Sequence, residues 1–147
     1  MAKLSAIMLN TDRIKGGTWI TVHTNETDSF ELHTRGFTPA FRDELARLKA
    51  EASRELNRGM DPGKRIITPD TLPPSADDLC HAKAIIAHCL LGIRGLSHED
   101  GRAVTLDEFT ALMLNPIEGE FAMRLALDAV RSVAQVREQE TQAAVGN

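Results

Sequence analysis

Residues 76–136 constrain the fold most, because they contain three stretches of helical periodicity separated by short polar segments. In the first stretch the apolar side chains recur at steps of three and four residues, which places them on one broad face of a helix. These positions are Ala84, Ile85, Cys89, Leu90, Leu91 and Ile93. A polar turn, a short helix and a long helix are predicted to follow, so this segment is expected to form a helical scaffold.

Two helix start signals follow each other closely in this scaffold. Thr105 is expected to cap the short helix, with Glu108 reaching back to complete a capping box. The long helix is expected to begin at Asn115, with Pro116 in its first turn. The predicted turn and cap residues of the scaffold are Gly95, Asp100, Gly101, Thr105, Asn115 and Pro116.

The long helix has an apolar face that covers more than half of its circumference. It carries Phe121, Leu125, Leu127, Val130, Val133 and Val136. A face this wide indicates either deep burial or self-association, and the sequence alone leaves both open. Residues 138–147 are polar and small and are expected to fray.

The N-terminal part of the chain predicts a β-hairpin. Residues 18–23 and 29–35 alternate between apolar and polar side chains and are joined by the polar segment TNETD. A two-stranded ribbon is marginally stable in water, so the aromatic residues Trp19, Phe30, Phe37 and Phe41 must pack on other elements. Packing on the helices of the same chain is favoured, with a partner chain as the alternative.

Thr38-Pro39 opens a helix that runs to Gly59, and four of the six prolines then fall in a connection at 59–75. Ser75 is expected to cap the next helix. The prediction is one domain of the α+β class, mostly α, with the N-terminal hairpin packed on a four-helix scaffold. Its parts are the hairpin and helix at 15–58, the connection at 59–75, the scaffold at 76–137 and the tail at 138–147.

Composition disfavours several kinds of partner. The chain has 147 residues and a formal net charge of -4, so its overall field repels phosphate backbones and anionic membranes. The apolar runs are far shorter than the roughly 18 residues of a membrane span. The two cysteines lie nine positions apart in one predicted helix and cannot pair. A reducing, cytoplasmic location without membrane or nucleic-acid partners is expected.

Neither metal binding nor catalysis is predicted. Cys80, His81, His88 and Cys89 are spread along one helix, so one ion cannot reach them all. The segment SHEDGRAVTLDEF contains residue types found in calcium-binding loops. When Gly101 is aligned with the turn glycine of such a loop, however, Leu96 falls at the first ligand position. No nucleophile, base and acid stand in triad geometry. The expectation is a binding protein with no catalytic, cofactor or metal site.

The order of these features resembles the tail assembly chaperones of long-tailed bacteriophages, over roughly residues 15–135. The shared features are a strand with Trp19, a second strand in SFELHTRGFTP, a helix, a Pro-rich connection, and GIRGLSHEDGRAVTLDEFTALMLNP. Gly95-Leu96, Asp100-Gly101 and Asn115-Pro116 match the family pattern, whereas Ile93 stands where the family has tryptophan.

The resemblance implies a non-enzymatic assembly factor that binds the phage tape measure protein and helps recruit tail tube subunits. It also implies a location in the host bacterial cytoplasm and absence from the mature virion. A structural tail or connector component of the virion is the alternative, and weak self-association is compatible with either. The candidate partner-facing residues are Trp19, Phe30, Phe37, Phe121 and Leu125.

Overall fold

The fold belongs to the α+β class and is mostly α, as the sequence predicts. The computed structural model describes residues 1–61 and 63–134; the predicted tail at 138–147 and Val136 lie outside these ranges. Within them, the chain forms five α-helices and one three-stranded antiparallel sheet of order β1-β2-β3. The elements are α1 Thr11–Gly16, β1 Thr18–His23, β2 Ser29–Thr34, α2 Pro39–Arg58, α3 Pro74–His88, β3 Leu90–Arg94, α4 Leu106–Met113 and α5 Glu120–Val133.

The N-terminal hairpin is present where the sequence places it. β1 and β2 pair antiparallel without interruption, from Thr18 opposite Thr34 to His23 opposite Ser29. The connecting turn is held by Asn25, whose Oδ1 accepts from the backbone N–H groups of Thr27 and Asp28 at 2.9 and 2.8 Å. An Asn side chain that bonds to the backbone just after it is a typical turn former, so this connection follows from local sequence.

Helix α1 is an element that the sequence patterns do not predict. The side chain of Asn10 accepts from the backbone N–H of Arg13 at 3.3 Å and caps this short helix. The helix ends at Gly16, and Gly17, which follows it, has a φ of +82°. Helix α1 thus closes into the turn that leads directly to β1.

The third strand corrects the sequence prediction. The helix expected to reach Ile93 ends at His88, and Leu90–Arg94 forms β3 instead. β3 pairs with β2, placing Gly92 opposite His33 and Arg94 opposite Glu31. A short apolar run fits a helix or a buried strand equally well, and here pairing with the open edge of β2 decides the outcome. The hairpin is therefore part of a sheet completed by the C-terminal half.

Helix α2 begins and ends as predicted. Thr38 Oγ1 accepts from the N–H of Phe41, and α2 then packs along α3. In the last turn of α2, the side chain of Asn57 both accepts from and donates to the backbone of Ile67, each at 2.8 Å. This pair of bonds ties the described part of the connection back to the end of α2.

The starts of α3 and α5 differ from the sequence predictions. Helix α3 begins at Pro74, so Ser75 lies inside the first turn and is not the cap. A proline at this first position presets the helical φ without needing a side-chain cap. Helix α5 begins at Glu120, not at Asn115, because Asn115 closes a separate turn that ends at Gly119.

Helix α5 forms the centre of the core. It lies across β1 and β2 and also contacts α3 and α4. Its buried face is built from small residues, so the backbones approach closely: Ala122, Ala126, Ala129, Val130 and Val133. From the sheet, Val22, Phe30 and Leu32 meet this face. Of the predicted apolar positions in the described part of α5, Val130 and Val133 are buried, Leu125 and Leu127 are half-buried and Phe121 is exposed, so the wide face is buried only in part.

Candidate interaction surface

Both cysteines of this segment are buried, Cys80 in α3 and Cys89 just after its end. Cys89 Sγ donates to the carbonyl of Gly36 at 3.7 Å, and burial raises the pKa of this thiol to about 12. Burial also raises the pKa of the Cys80 thiol. His81 Nδ1 lies 2.9 Å from the carbonyl oxygen of Asp77. Across residues 1–61 and 63–134, no three His, Cys, Asp or Glu side chains are grouped closely enough to hold a metal ion.

The segment between β3 and α4 is a tight turn. Gly101 has a φ of +90°, and Asp100 Oδ1 accepts from the N–H of Arg102 at 2.9 Å. Ser97 and Ala103 bridge across the turn. Gly95, which follows β3, also has a positive φ, of +84°. These residues set the backbone conformation, and the segment that resembles a calcium-binding loop in composition forms a hairpin-like turn.

Helix α4 starts with the expected capping box. Thr105 Oγ1 accepts from the N–H of Glu108 at 3.1 Å, and Glu108 Oε1 accepts from the N–H of Thr105 at 3.2 Å. The bond from the Thr105 N–H holds the pKa of Glu108 below its ordinary value, with smaller contributions from the Thr105 hydroxyl and His98. Glu108 Oε2 also lies 2.6 Å from His98 Nε2, which joins the cap to the preceding turn.

The five candidate partner-facing residues differ in their exposure to solvent. Phe30 is only 3% exposed and packs edge-on against Phe109, so it is a core residue and the prediction that it faces a partner is wrong. Phe37 is half-buried against Phe41, and Leu125 is half-buried against the core. Trp19 and Phe121 are the exposed members, at 36% and 51%. They lie on the outer face of the sheet and at the start of α5.

On the outer face of the sheet, Trp19 belongs to a cluster that is already paired. Its ring stacks on His33 at a centroid distance of 5.0 Å, and the guanidinium of Arg94 lies 3.9 Å from its centroid. Arg94 also binds both carboxylate oxygens of Glu31, at 3.1 and 2.9 Å, and this holds the pKa of Glu31 below its ordinary value. These contacts satisfy the charges locally and stabilise the three strands in register.

A groove of about 480 Å³ opens where the start of α3, the end of α4 and the start of α5 meet. We call it the α3–α5 groove. Its apolar lining comes from three separate elements and consists of Ala76, Leu79, Met113, Leu114, Pro116 and Met123. Leu79 and Leu114 are 40% and 39% exposed, so a part of this lining faces solvent. The groove therefore presents apolar surface that the described chain leaves uncovered.

Exposed apolar side chains continue beyond the groove lining. Ile117 and Phe121 follow Pro116 and Glu120 in the chain and are 85% and 51% exposed. Isolated apolar residues on a surface are ordinary, so these two side chains are only candidates to extend the apolar area of the groove. The predicted cap residues Asn115 and Pro116 lie in the wall of this groove.

The charges at the α3–α5 groove are acidic. Asp78 and Glu120 are the charged residues of its lining, which has no lysine or arginine. Glu120 is paired with Arg124 at 3.0 Å, while Asp78 has no ionic partner in the described residues. A ligand with basic groups beside an apolar stripe would complement this lining.

A second groove of about 500 Å³ lies between α2 and α3 and shares Ala76 and Leu79 with the first. Its remaining lining includes Arg47, Glu51 and Lys83, and Arg47 is already paired with Glu44 and Glu51. Mixed, internally paired charges give little selectivity. The α3–α5 groove is therefore the better candidate for a binding site.

Sequence reasoning missed the groove because its lining converges only in three dimensions. Leu79 precedes the apolar stripe of α3, and Met113 and Leu114 end a different helix. No local period connects them. One sequence signal could have indicated the groove: in the Leu-Asn-Pro segment at 114–116, the apolar Leu114 directly precedes a turn, and turn residues lie at the surface and cannot cover it.

The chain matches no known protein family model, and comparison with curated proteins and with solved structures finds no significant relative. None of the helices in the described residues combines the length and apolar character that crossing a bilayer requires.

Proposed function

We propose that this protein is a non-enzymatic phage tail assembly chaperone. It binds and solubilises helical segments of the tape measure protein in the host cytoplasm, helps recruit tail tube subunits, and is absent from the finished virion. The observation that carries the proposal is the uncovered apolar α3–α5 groove. The resemblance described above supplies the identity of the partners.

An amphipathic helix is the ligand that suits such a groove. A helix with its side chains is about 10–12 Å across, and its apolar stripe can lie in a groove formed by other helices. The lining includes the half-buried Met123, whose unbranched side chain adapts to differently shaped apolar surfaces. A chaperone that holds many segments of one long helical protein needs this adaptability, because successive segments present different apolar faces.

The acidic lining favours segments with lysine or arginine beside the apolar stripe. Asp78 is free of ionic partners among the described residues and can pair with such a group on the bound helix. Exposed ion pairs contribute at most about 1 kcal/mol, so they select among segments while the apolar contacts provide most of the affinity. The complex is therefore expected to survive high salt.

Co-expression with the cognate tape measure protein tests the proposal. Wild-type protein is expected to raise the soluble yield of the tape measure and to co-purify with it. Leu79→Asp places a charge in the lining shared by the two grooves, and Leu114→Asp places one in the α3–α5 groove alone; each should abolish both effects. Leu56→Asp is the matched control, because Leu56 is also 40% exposed but lies on α2 outside the groove lining. Circular dichroism of each variant checks that it is folded.

A tape measure that co-purifies equally with wild type and Leu79→Asp would show that the groove is not its binding site. The structural alternative predicts a different result: the protein would be recovered in stoichiometric amounts from purified virions. A gene position between those of a tail tube protein and a very long tape measure protein would independently favour the chaperone.

A further inference from the structure

We propose that the outer edge of β1 pairs with β1 of a second copy of this chain, which joins two three-stranded sheets into one of six strands. Among the described residues β1 is an edge strand, because β2 alone pairs with it in the sheet order β1-β2-β3. In an antiparallel ladder, alternate residues of an edge strand point their N–H and C=O groups away from the sheet. No backbone bond in the described residues satisfies these groups on β1.

β1 lacks the features that normally protect an edge strand. Its sequence, TWITVH, contains no lysine, arginine, carboxylate or proline. Its six residues pair with β2 without a bulge, so the edge is regular along its length. Native edge strands are usually blunted by charge, proline, bulges or shortness. An edge without these features is a template for a further strand.

The opposite edge of the sheet provides a contrast. β3 has five residues, its pairing with β2 shifts register between His33 and Thr34, and it ends in the charged Arg94. These are protective features of the kind that β1 lacks. Association through the sheet is therefore expected at β1 and not at β3.

The occupant we infer is a second copy, because β1 is complementary to itself. An antiparallel two-fold pairing centred on Thr21 places Trp19 opposite His23 of the second copy and Ile20 opposite Val22 of the second copy. Ile20 and Val22 are β-branched residues on one face, and β-branched cross-strand pairs are favourable, while the Trp19 ring stays on His33 and Arg94 of its own sheet. The uncharged strands do not repel each other, and two-fold self-pairing is the commonest symmetry of soluble oligomers.

Sedimentation over a concentration series tests the pairing in the full-length protein. The wild type is expected to show a monomer–dimer equilibrium. Thr21→Lys places two like charges opposite each other and should raise the dissociation constant about tenfold or more. Leu56→Lys is the control, because Leu56 is exposed on α2, which does not pack on the sheet, so its equilibrium should match the wild type.

A register-specific cross-link provides a second test that does not depend on weakening the dimer. Opposed residues of an antiparallel pair have Cβ atoms about 4.5–5.5 Å apart, within reach of a short bifunctional thiol reagent, so Thr21→Cys should give a cross-linked dimer with such a reagent. Cys80 and Cys89 are buried and should not contribute. Thr27→Cys in the hairpin turn is the control and should give no more than background dimer. A wild type that stays monomeric up to its solubility limit, or equal cross-linking of the two variants, would overturn the proposal.

Discussion

Gly119 occupies a position that leaves no room for a side chain. A Cβ atom there would lie 1.7 Å from the carbonyl oxygen of Leu112 and 2.8 Å from that of Asn115. Both are backbone atoms and cannot move aside without displacing the turn. We expect Gly119→Ala to lower the free energy of unfolding by about 3 kcal/mol, measured by urea denaturation.

Gly59→Ala is the control for this substitution. Gly59 ends α2 with a φ of −91°, and a methyl group at its Cα would have no neighbouring atom within 4 Å. Its stability should therefore change by less than about 0.5 kcal/mol. Equal losses for the two variants would mean that backbone entropy, and not the contact with Leu112, determines the effect at Gly119.

Substitutions at Gly101 test the backbone conformation of the turn, because a side chain there would meet no steric crowding. Its φ is +90°, and nothing lies within 4 Å of the position a Cβ would occupy. Gly101→Val should destabilise the protein by about 1 kcal/mol or more, because a β-branched residue is strained at positive φ. Gly101→Asn should lose less, since asparagine tolerates this region. An unchanged melting temperature for the valine variant would contradict the turn geometry.

At the scale of elements, the capping box makes the stability of α4 depend on pH. The folded-state pKa of Glu108 is depressed, so its contribution is present above the ordinary value of 4.5 and is lost as the pH falls through the lower folded value. The difference in unfolding free energy between wild type and Glu108→Gln should therefore shrink from about pH 7 to about pH 3. A difference that stays constant over this range would show that the carboxylate form is not what caps the helix.

Elements defined by local signals could be predicted from the sequence, and those defined by distant partners could not. The hairpin, the Thr38 cap and the Thr105 capping box depend on residues within a few positions of each other. β3 depends on β2, and Glu31 and Arg94, which pair across these two strands, are 63 positions apart in the chain. The sequence places the start of α5 too early because Asn115 caps a turn in the same way that it would cap a helix.

The candidate site was less predictable than the fold. Of the residues proposed to face a partner, Phe121 is exposed near the α3–α5 groove, whereas Phe30 is buried. Hydrophobic character alone does not distinguish a core aromatic from a surface one, because that depends on which elements cover it. Leu79 and Leu114 become neighbours only when α3 and the end of α4 pack around α5.

For the whole molecule, the shared sheet leads us to expect one cooperative unit. β3 comes from the C-terminal half and pairs with the N-terminal hairpin, and α5 covers β1 and β2. Neither half keeps its core without the other. Unfolding followed by the fluorescence of Trp19, the single tryptophan, should coincide with unfolding followed by far-UV circular dichroism. Two separate transitions would show that the halves are independent domains, contrary to the single-domain prediction.

The distance in sequence between β2 and β3 also has a consequence on the ribosome. At roughly 5–20 residues per second, the 63 positions from Glu31 to Arg94 take about 3–13 seconds to translate. During that time the nascent hairpin has neither β3 nor α5, and Phe30 and Leu32 have no cover from either. Codons for residues 35 to 90 thus set how long an unfinished sheet is exposed to other nascent chains. Slow codons in this interval should lower the yield of soluble protein more than slow codons placed after α5.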